Sequence, residues 1–207
     1  MTPEDRYNAL LAQKLIEEWG KRNMEGFYCE TKEDAVKKVL KLIPLGSTVS
    51  CGGSATLREI GLRAALKKER YKFLDPDDAQ GGPAKEEIAH QALSADYYLM
   101  SSNAISATGE LVNADGIGNR VASLIFGPKH VIVIAGMNKV EPNLDAAILR
   151  VKKYAAPLIL LLFKQDYASF DELSEAADGA YSHLVITRMS TFKNRIKVIL
   201  VGESLGY

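Results

Sequence analysis

The sequence predicts an α/β fold, a mostly parallel sheet flanked by helices. Strand-like and helix-like segments alternate along the chain, and several of the strands, His130–Ala135 above all, are apolar on both faces. A sheet buried on both sides by its crossover helices needs that combination. With 207 residues and 47% hydrophobic composition the chain can bury a substantial core. It reads as one domain over residues 1–207, with residues 1–25 as a helix packed on it or extending from it.

Thr2 and Pro3 form a cap and first turn for an opening helix that ends near Gly20, with Tyr7, Leu10, Leu11, Ile16 and Trp19 on one face. A short strand, Gly26–Glu30, precedes Thr31, which caps a second helix with Ala35, Val36, Val39, Leu40 and Ile43 inward and Pro44 and Gly46 closing it. Strand Ser47–Cys51 enters Gly52-Gly53-Ser54 and a helix to about Lys68. Tyr71–Leu74 is a strand, Asp75–Pro83 a loop, and a helix then runs to Leu93. Tyr97–Met100 is a buried strand, and a short hairpin arm is expected around Ile105–Val112. Asn119–Phe126 and Asn143–Tyr154 are helices on either side of the apolar strand. Leu158–Phe163 reads as another strand, Phe170–Ala177 as a helix, and Leu184–Arg188 and Ile196–Val201 as final strands.

Bulk properties narrow the function. Acidic and basic residues balance at 26 each with no basic stripe, which argues against a nucleic-acid partner. Cys29 and Cys51 form no CxxC and stand near no histidine pair, so no metal site is expected and no cofactor motif is evident. The start is acidic and lacks an apolar leader core, and the longest apolar run, Ala155–Phe163, is too short for a bilayer. A cytoplasmic protein without membrane contact is the expectation.

Ligands of parallel sheets bind beyond the carboxyl ends of strands, and three segments leave strands there. In Cys51–Thr56, Gly52 and Gly53 allow close backbone approach, a helix begins, and Ser54 and Thr56 add hydroxyls, a pattern suited to an anion. The segment reads equally as a tight turn with Ser54 as N-cap, and it has neither the Walker ending nor GxGxxG spacing. Glu59, one turn on, is a candidate base or an exposed helix carboxylate. The stretch Ser101–Arg120 concentrates directional groups: Asn103, Thr108, Glu110, Asn113, Asp115, Gly116, Asn119 and Arg120 are candidates there, with Arg120 able to pair with Asp115, Glu110 or a ligand. The third segment, Ala135–Lys139, contributes Gly136, Asn138 and Lys139. Its lysine can hold an anion or, if desolvated, act as acid or base. His90, His130 and His183 receive no role, the last two as strand-start residues at the opposite edge.

These residues also carry a resemblance. Gly52-Gly53-Ser54-Ala55-Thr56-Leu57-Arg58-Glu59-Ile60-Gly61-Leu62, Ala107–Gly116 with Gly118–Ala122, Phe126–Lys129, Val133–Lys139 and Val201–Tyr207 resemble the signature stretches of the LUD (lactate utilization) domain family, over most of the chain from about Glu4. The resemblance implies a fold of the NagB/RpiA/CoA-transferase type. It also implies an accessory role, of the LutC-subunit kind, in oxidation of L-lactate to pyruvate beside iron–sulfur partners. Many relatives carry a cysteine cluster that Phe163–Thr191 lacks here, and the family's AAP-x-N-A segment is replaced by Ala155-Ala156-Pro157-Leu158-Ile159-Leu160. Two other readings stand beside that role. One is a stand-alone enzyme of isomerase, transferase or cyclo-ligase type acting on a small phosphorylated or acyl anion, with Glu59, Glu110 or Asp115 as acid or base and Lys139 or Arg120 as clamp. The other is a non-catalytic binding or assembly module. A homodimer built on the hairpin arm or the opening helix is a further expectation.

Overall fold

The computed structural model describes residues 2–163 and 166–207. Helix α1 (Pro3–Lys21) opens the chain, held by a capping box in which the Thr2 hydroxyl accepts from the Asp5 amide and the Asp5 carboxylate from the Thr2 amide. β1 (Glu25–Cys29), α2 (Lys32–Leu42) and β2 (Thr48–Cys51) follow. The next helix breaks into α3 (Ala55–Glu59) and α4 (Leu62–Lys68), and β3 (Lys72–Leu74), α5 (Gly82–Ala92) and β4 (Tyr97–Met100) come after it. The polar central stretch forms β5 (Ala104–Ser106), β6 (Leu111–Asp115) and α6 (Asn119–Ile125). Then come β7 (His130–Gly136), β8 (Val140–Glu141) and α7 (Leu144–Arg150), which continues through a wide π turn, Val151–Ala155, into α8 (Ala156–Leu162). α9 (Phe170–Gly179), β9 (His183–Thr187) and β10 (Ile196–Val201) complete the chain.

Six strands form one parallel sheet in the order β1-β10-β7-β4-β2-β3. Alternation along β7 shows why its strands are apolar throughout. Val131, Val133 and Ala135 enter one core with Leu15, Trp19, Met100 and Leu200, while Ile132 and Ile134 enter the other with Val39, Val49, Leu57 and Ile199. The fold class read from the sequence is the one observed.

A second sheet, order β8-β5-β6-β9, was not anticipated. β5 and β6 are the expected hairpin, but Ile105, Leu111 and Val112 are fully buried rather than presented on an arm. β9, the expected strand near Leu184–Arg188, runs antiparallel to β6 here. The segment Leu158–Phe163 is corrected from strand to helix: Pro157 stands where the wide π turn gives way to α8, and the altered hydrogen-bond register there accommodates its missing amide. The buried face of α1 is corrected in part. Trp19 is buried and Leu11 and Ile16 are half-buried as expected, but Tyr7 and Leu10 are exposed and Ala12 and Leu15 are buried in their place. Trp19 packs against Gly26, where an added Cβ would come within 2.7 Å of the indole, so α1 lies close on β1.

Candidate functional site

Neighbouring strands β7, β4 and β2 point their carboxyl ends the same way, so the segments that leave them converge. They are Gly136–Lys139, Ser101–Asn103 and Cys51–Thr56. Above them lies a cavity of about 440 Å³. Its polar floor comes from Ser54, Thr56, Ser101, Asn103, Arg120 and Lys139. Its other wall is apolar, from Ala156, Ile159, Leu162 and Phe163, with Tyr181 and Tyr207.

Lys139 is 3% exposed and follows β7 directly. Its ammonium donates to Thr56 Oγ1 and to Ser101 Oγ, each at 3.0 Å. Among the described residues no carboxylate lies within ion-pair distance of it. Burial, with Arg150 and Arg120 nearby, pushes its pKa down to about 7, and Glu59 opposes the shift. Both protonation states of Lys139 are therefore populated near neutrality.

Arg120 is the hub of the site rather than a free clamp. Its guanidinium donates to Ser101 O, Asn113 Oδ1, Asn103 Oδ1 and Ala114 O, and its Nε lies 3.7 Å from Asp115. Both terminal nitrogens of the fork have two acceptors each, so Arg120 contributes positive field and rigidity. Asn103 accepts from the Ala114 amide as well, tying β4 to β6. Asp115 accepts from the Gly118 and Val121 amides and thereby caps α6. Ser54 caps α3 by accepting from Leu57 N, which leaves its own O–H to donate.

The sequence-derived candidates divide by position. Gly53, Ser54, Thr56, Asn103, Asp115, Gly116, Asn119, Arg120 and Lys139 line the cavity. Gly52 and Asn113 lie just behind it, one accepting from Arg63 and the other from Arg120. Glu59, Gly136 and Asn138 hold the C-terminal strap. Glu59 accepts from Gly206 N, Asn138 bonds both Leu205 N and Gly206 O, and a Cβ on Gly136 would strike Glu203 O at 2.5 Å. Glu110 and Thr108 stand apart from the cavity, at the β5–β6 turn. Glu110 accepts from Ser106 and Thr108 and pairs with Arg22 at 3.1 Å. His183, placed at the far edge by sequence, packs against Gly118 beside the cavity, because β9 runs antiparallel in the second sheet.

Sequence reasoning missed Arg58 and the whole apolar wall. Ile159, Leu162 and Phe163 recur at i, i+3, i+4, a helical face that was hidden inside an unbroken apolar run. Among the described residues no group of three metal-ligating side chains assembles, and no helix is long and apolar enough to cross a membrane.

The model of the LUD domain family matches residues 12–201. The chain belongs to the LUD domain family. A DUF162 family protein from Deinococcus radiodurans, known from a crystal structure, covers 96% of this LUD domain with 98% of its own chain, at 13% identity and a TM-score of 0.56; the two share a fold. Ribose 5-phosphate isomerase A from Methanocaldococcus jannaschii is similar over 53% of each chain, at 17% identity and a TM-score of 0.34. No curated protein matches this LUD domain.

Proposed function

We propose that the cavity binds a small organic anion that carries an apolar portion, and that Lys139 is the cation that meets it. The observation behind this reading is the lysine itself. A buried ammonium held only by two neutral hydroxyls is costly, and an incoming anion removes that cost. The apolar wall opposite supplies area for the rest of the ligand, and a volume of about 440 Å³ suits a molecule larger than a three-carbon acid. Of the three candidate carboxylates, Glu110 is outside the cavity and Glu59 and Asp115 are engaged by backbone amides. Proton transfer within the cavity therefore centres on the lysine amine.

Calorimetry tests the reading with a panel of L-lactate, pyruvate, phenylpyruvate, ribose 5-phosphate and acetyl-CoA. A charge-assisted hydrogen bond of about 1.5–3 kcal/mol corresponds to an affinity loss of roughly 10- to 150-fold in Lys139→Met. If no member of the panel binds, or if the variant binds equally well, the proposal is abandoned.

Family membership favours a second reading, a cytoplasmic accessory subunit in the oxidation of L-lactate to pyruvate, with the electron carriers on iron–sulfur partner proteins. It predicts co-purification with those partners and loss of growth on L-lactate after deletion of the gene. Normal growth of the deletion strain on L-lactate removes it.

A further inference from the structure

We propose that Lys139 is an imine-forming lysine, whose neutral amine captures the carbonyl carbon of a 2-oxo acid with an apolar side chain bound in the cavity. The proposal rests on the anion-site reading above and narrows its ligand to a class.

Four observations point to covalent capture. Lys139 lines the cavity, and both hydroxyls that hold its nitrogen, those of Thr56 and Ser101, belong to lining residues too. Among the described residues no carboxylate lies within ion-pair distance of it, so no close counter-charge locks the nitrogen as ammonium. The fixed cations of Arg120 and Arg150 act on it through space; Arg120 donates to backbone and amide oxygens and lies near Asp115, and Arg150 donates to Asn103 O and lies near Glu141. Desolvation together with neighbouring cations is the arrangement that keeps an amine nucleophilic at neutral pH. Its depressed pKa, about 7, agrees with this. Finally, the nucleophile and the apolar wall face one cavity, so a 2-oxo acid can place its carbonyl at the lysine and its side chain against Ile159 and Leu162. Its carboxylate then lies in the positive field of Arg120, with Ser54 also lining the cavity.

The step balances without an oxidant or reductant. The nitrogen lone pair forms the N–C bond while the carbonyl π pair moves onto oxygen. One N–H proton passes to that oxygen through the Thr56 or Ser101 hydroxyl, and a second proton comes from solvent. The C–O bond breaks, water leaves, and the remaining nitrogen lone pair completes a protonated C=N bond. Hydrolysis reverses the sequence.

The test uses the full chain with phenylpyruvate or pyruvate in the presence of sodium cyanoborohydride at neutral pH, read by intact mass and peptide mapping. One adduct per chain, on the peptide containing Lys139, is expected, forming faster with phenylpyruvate than with pyruvate and absent from Lys139→Met. Far-ultraviolet circular dichroism and thermal melting of the variant establish that it is folded. Calorimetry with phenylpyruvate separates the two levels of inference. Lys139-dependent binding without an adduct overturns imine formation and leaves the anion site standing. Adducts spread over surface lysines overturn imine formation as well. Absence of both binding and adduct overturns the proposal together with the reading beneath it.

Discussion

Glu110 and Lys139 are both buried ionisable side chains from polar, glycine-punctuated stretches, yet their surroundings are opposite. Burial alone would raise the Glu110 pKa. Hydrogen bonds from Ser106, Thr108 and its own amide, together with the charge of Arg22, outweigh that and hold it at about 2. Its partners come from α1 and from the β5–β6 turn, so the carboxylate joins the opening helix to the second sheet. Arg22 extends the tie to the carbonyls of Thr108 and Arg188, each at 2.7 Å. Lys139 has two neutral acceptors, no carboxylate within ion-pair distance among the described residues, and a pKa of about 7. A buried charge with its full set of partners acts as a structural tie, and one without them is available for chemistry. Residue type and sequence neighbourhood did not separate the two; partner geometry did.

The largest expected effect lies at the lysine. Lys139→Met should weaken panel-ligand binding by roughly 10- to 150-fold while raising the melting temperature. The sign follows from linkage. The folded-state pKa of about 7 lies below the ordinary 10.5, so the folded protein carries a desolvation penalty below pH 7 that is relieved as pH rises from about 7 to 10.5. Methionine removes that penalty, and the hydrogen bond that the Thr56 hydroxyl already donates to Ser101 Oγ at 3.3 Å keeps the two hydroxyls partnered. At one pKa unit per 1.36 kcal/mol the gain is on the order of a few kcal/mol at most. A variant that loses both binding and stability would mean that Lys139 is a tie like Glu110, and the contrast would collapse.

The reverse pattern is expected at the carboxylate. Glu110→Gln should cost about 1.5–3 kcal/mol in denaturant unfolding, because it removes charged acceptors from two hydroxyls and a guanidinium, and it should leave ligand affinity unchanged. In the unsubstituted protein this contribution is present above the ordinary value of 4.5 and is lost as pH falls towards about 2. The variant should therefore show a flatter acid limb of stability. A change in ligand affinity without a change in stability would move Glu110 into the site.

Ligand affinity supplies the third test. Anion binding needs the ammonium form, so affinity should hold below pH 7 and fall above it, approaching about tenfold per pH unit. A profile flat from pH 6 to 9 would assign anion binding to the arginines alone.

The parallel sheet was legible because its longer strands are dominated by apolar residues on both faces, as in His130–Gly136 and, apart from Lys197, Ile196–Val201. The second sheet was not. Its strands span two to five residues, several of them small or polar, and β6 finds β9 across more than sixty residues of chain. Pairing of that kind leaves no local trace. In the same way, Leu158–Phe163 is apolar at every position, so its periodicity cannot separate strand from helix. Misreading it hid the wall that faces Lys139. The strand-end loops of the candidate site were visible because glycine, serine and asparagine are concentrated there. Which of their charges would be paired depended on α1 and β6, elements distant in sequence.

The smallest effect sharpens the comparison from the Glu110 side. Thr108 is exposed, and its hydroxyl donates to Glu110 Oε2 at 2.6 Å. Thr108→Val keeps the shape and removes one of several donors, while Ser106 and Arg22 still hold the carboxylate. A loss of about 0.5–1.5 kcal/mol is expected, with the acid limb of stability shifted slightly to higher pH because Glu110 is then less strongly depressed. If the loss equalled that of Glu110→Gln, a single hydrogen bond would carry the tie and the redundancy inferred around the carboxylate would be absent. If there were no loss at all, Ser106 and Arg22 would suffice, and the difference between the two buried charges would rest on the ion pair.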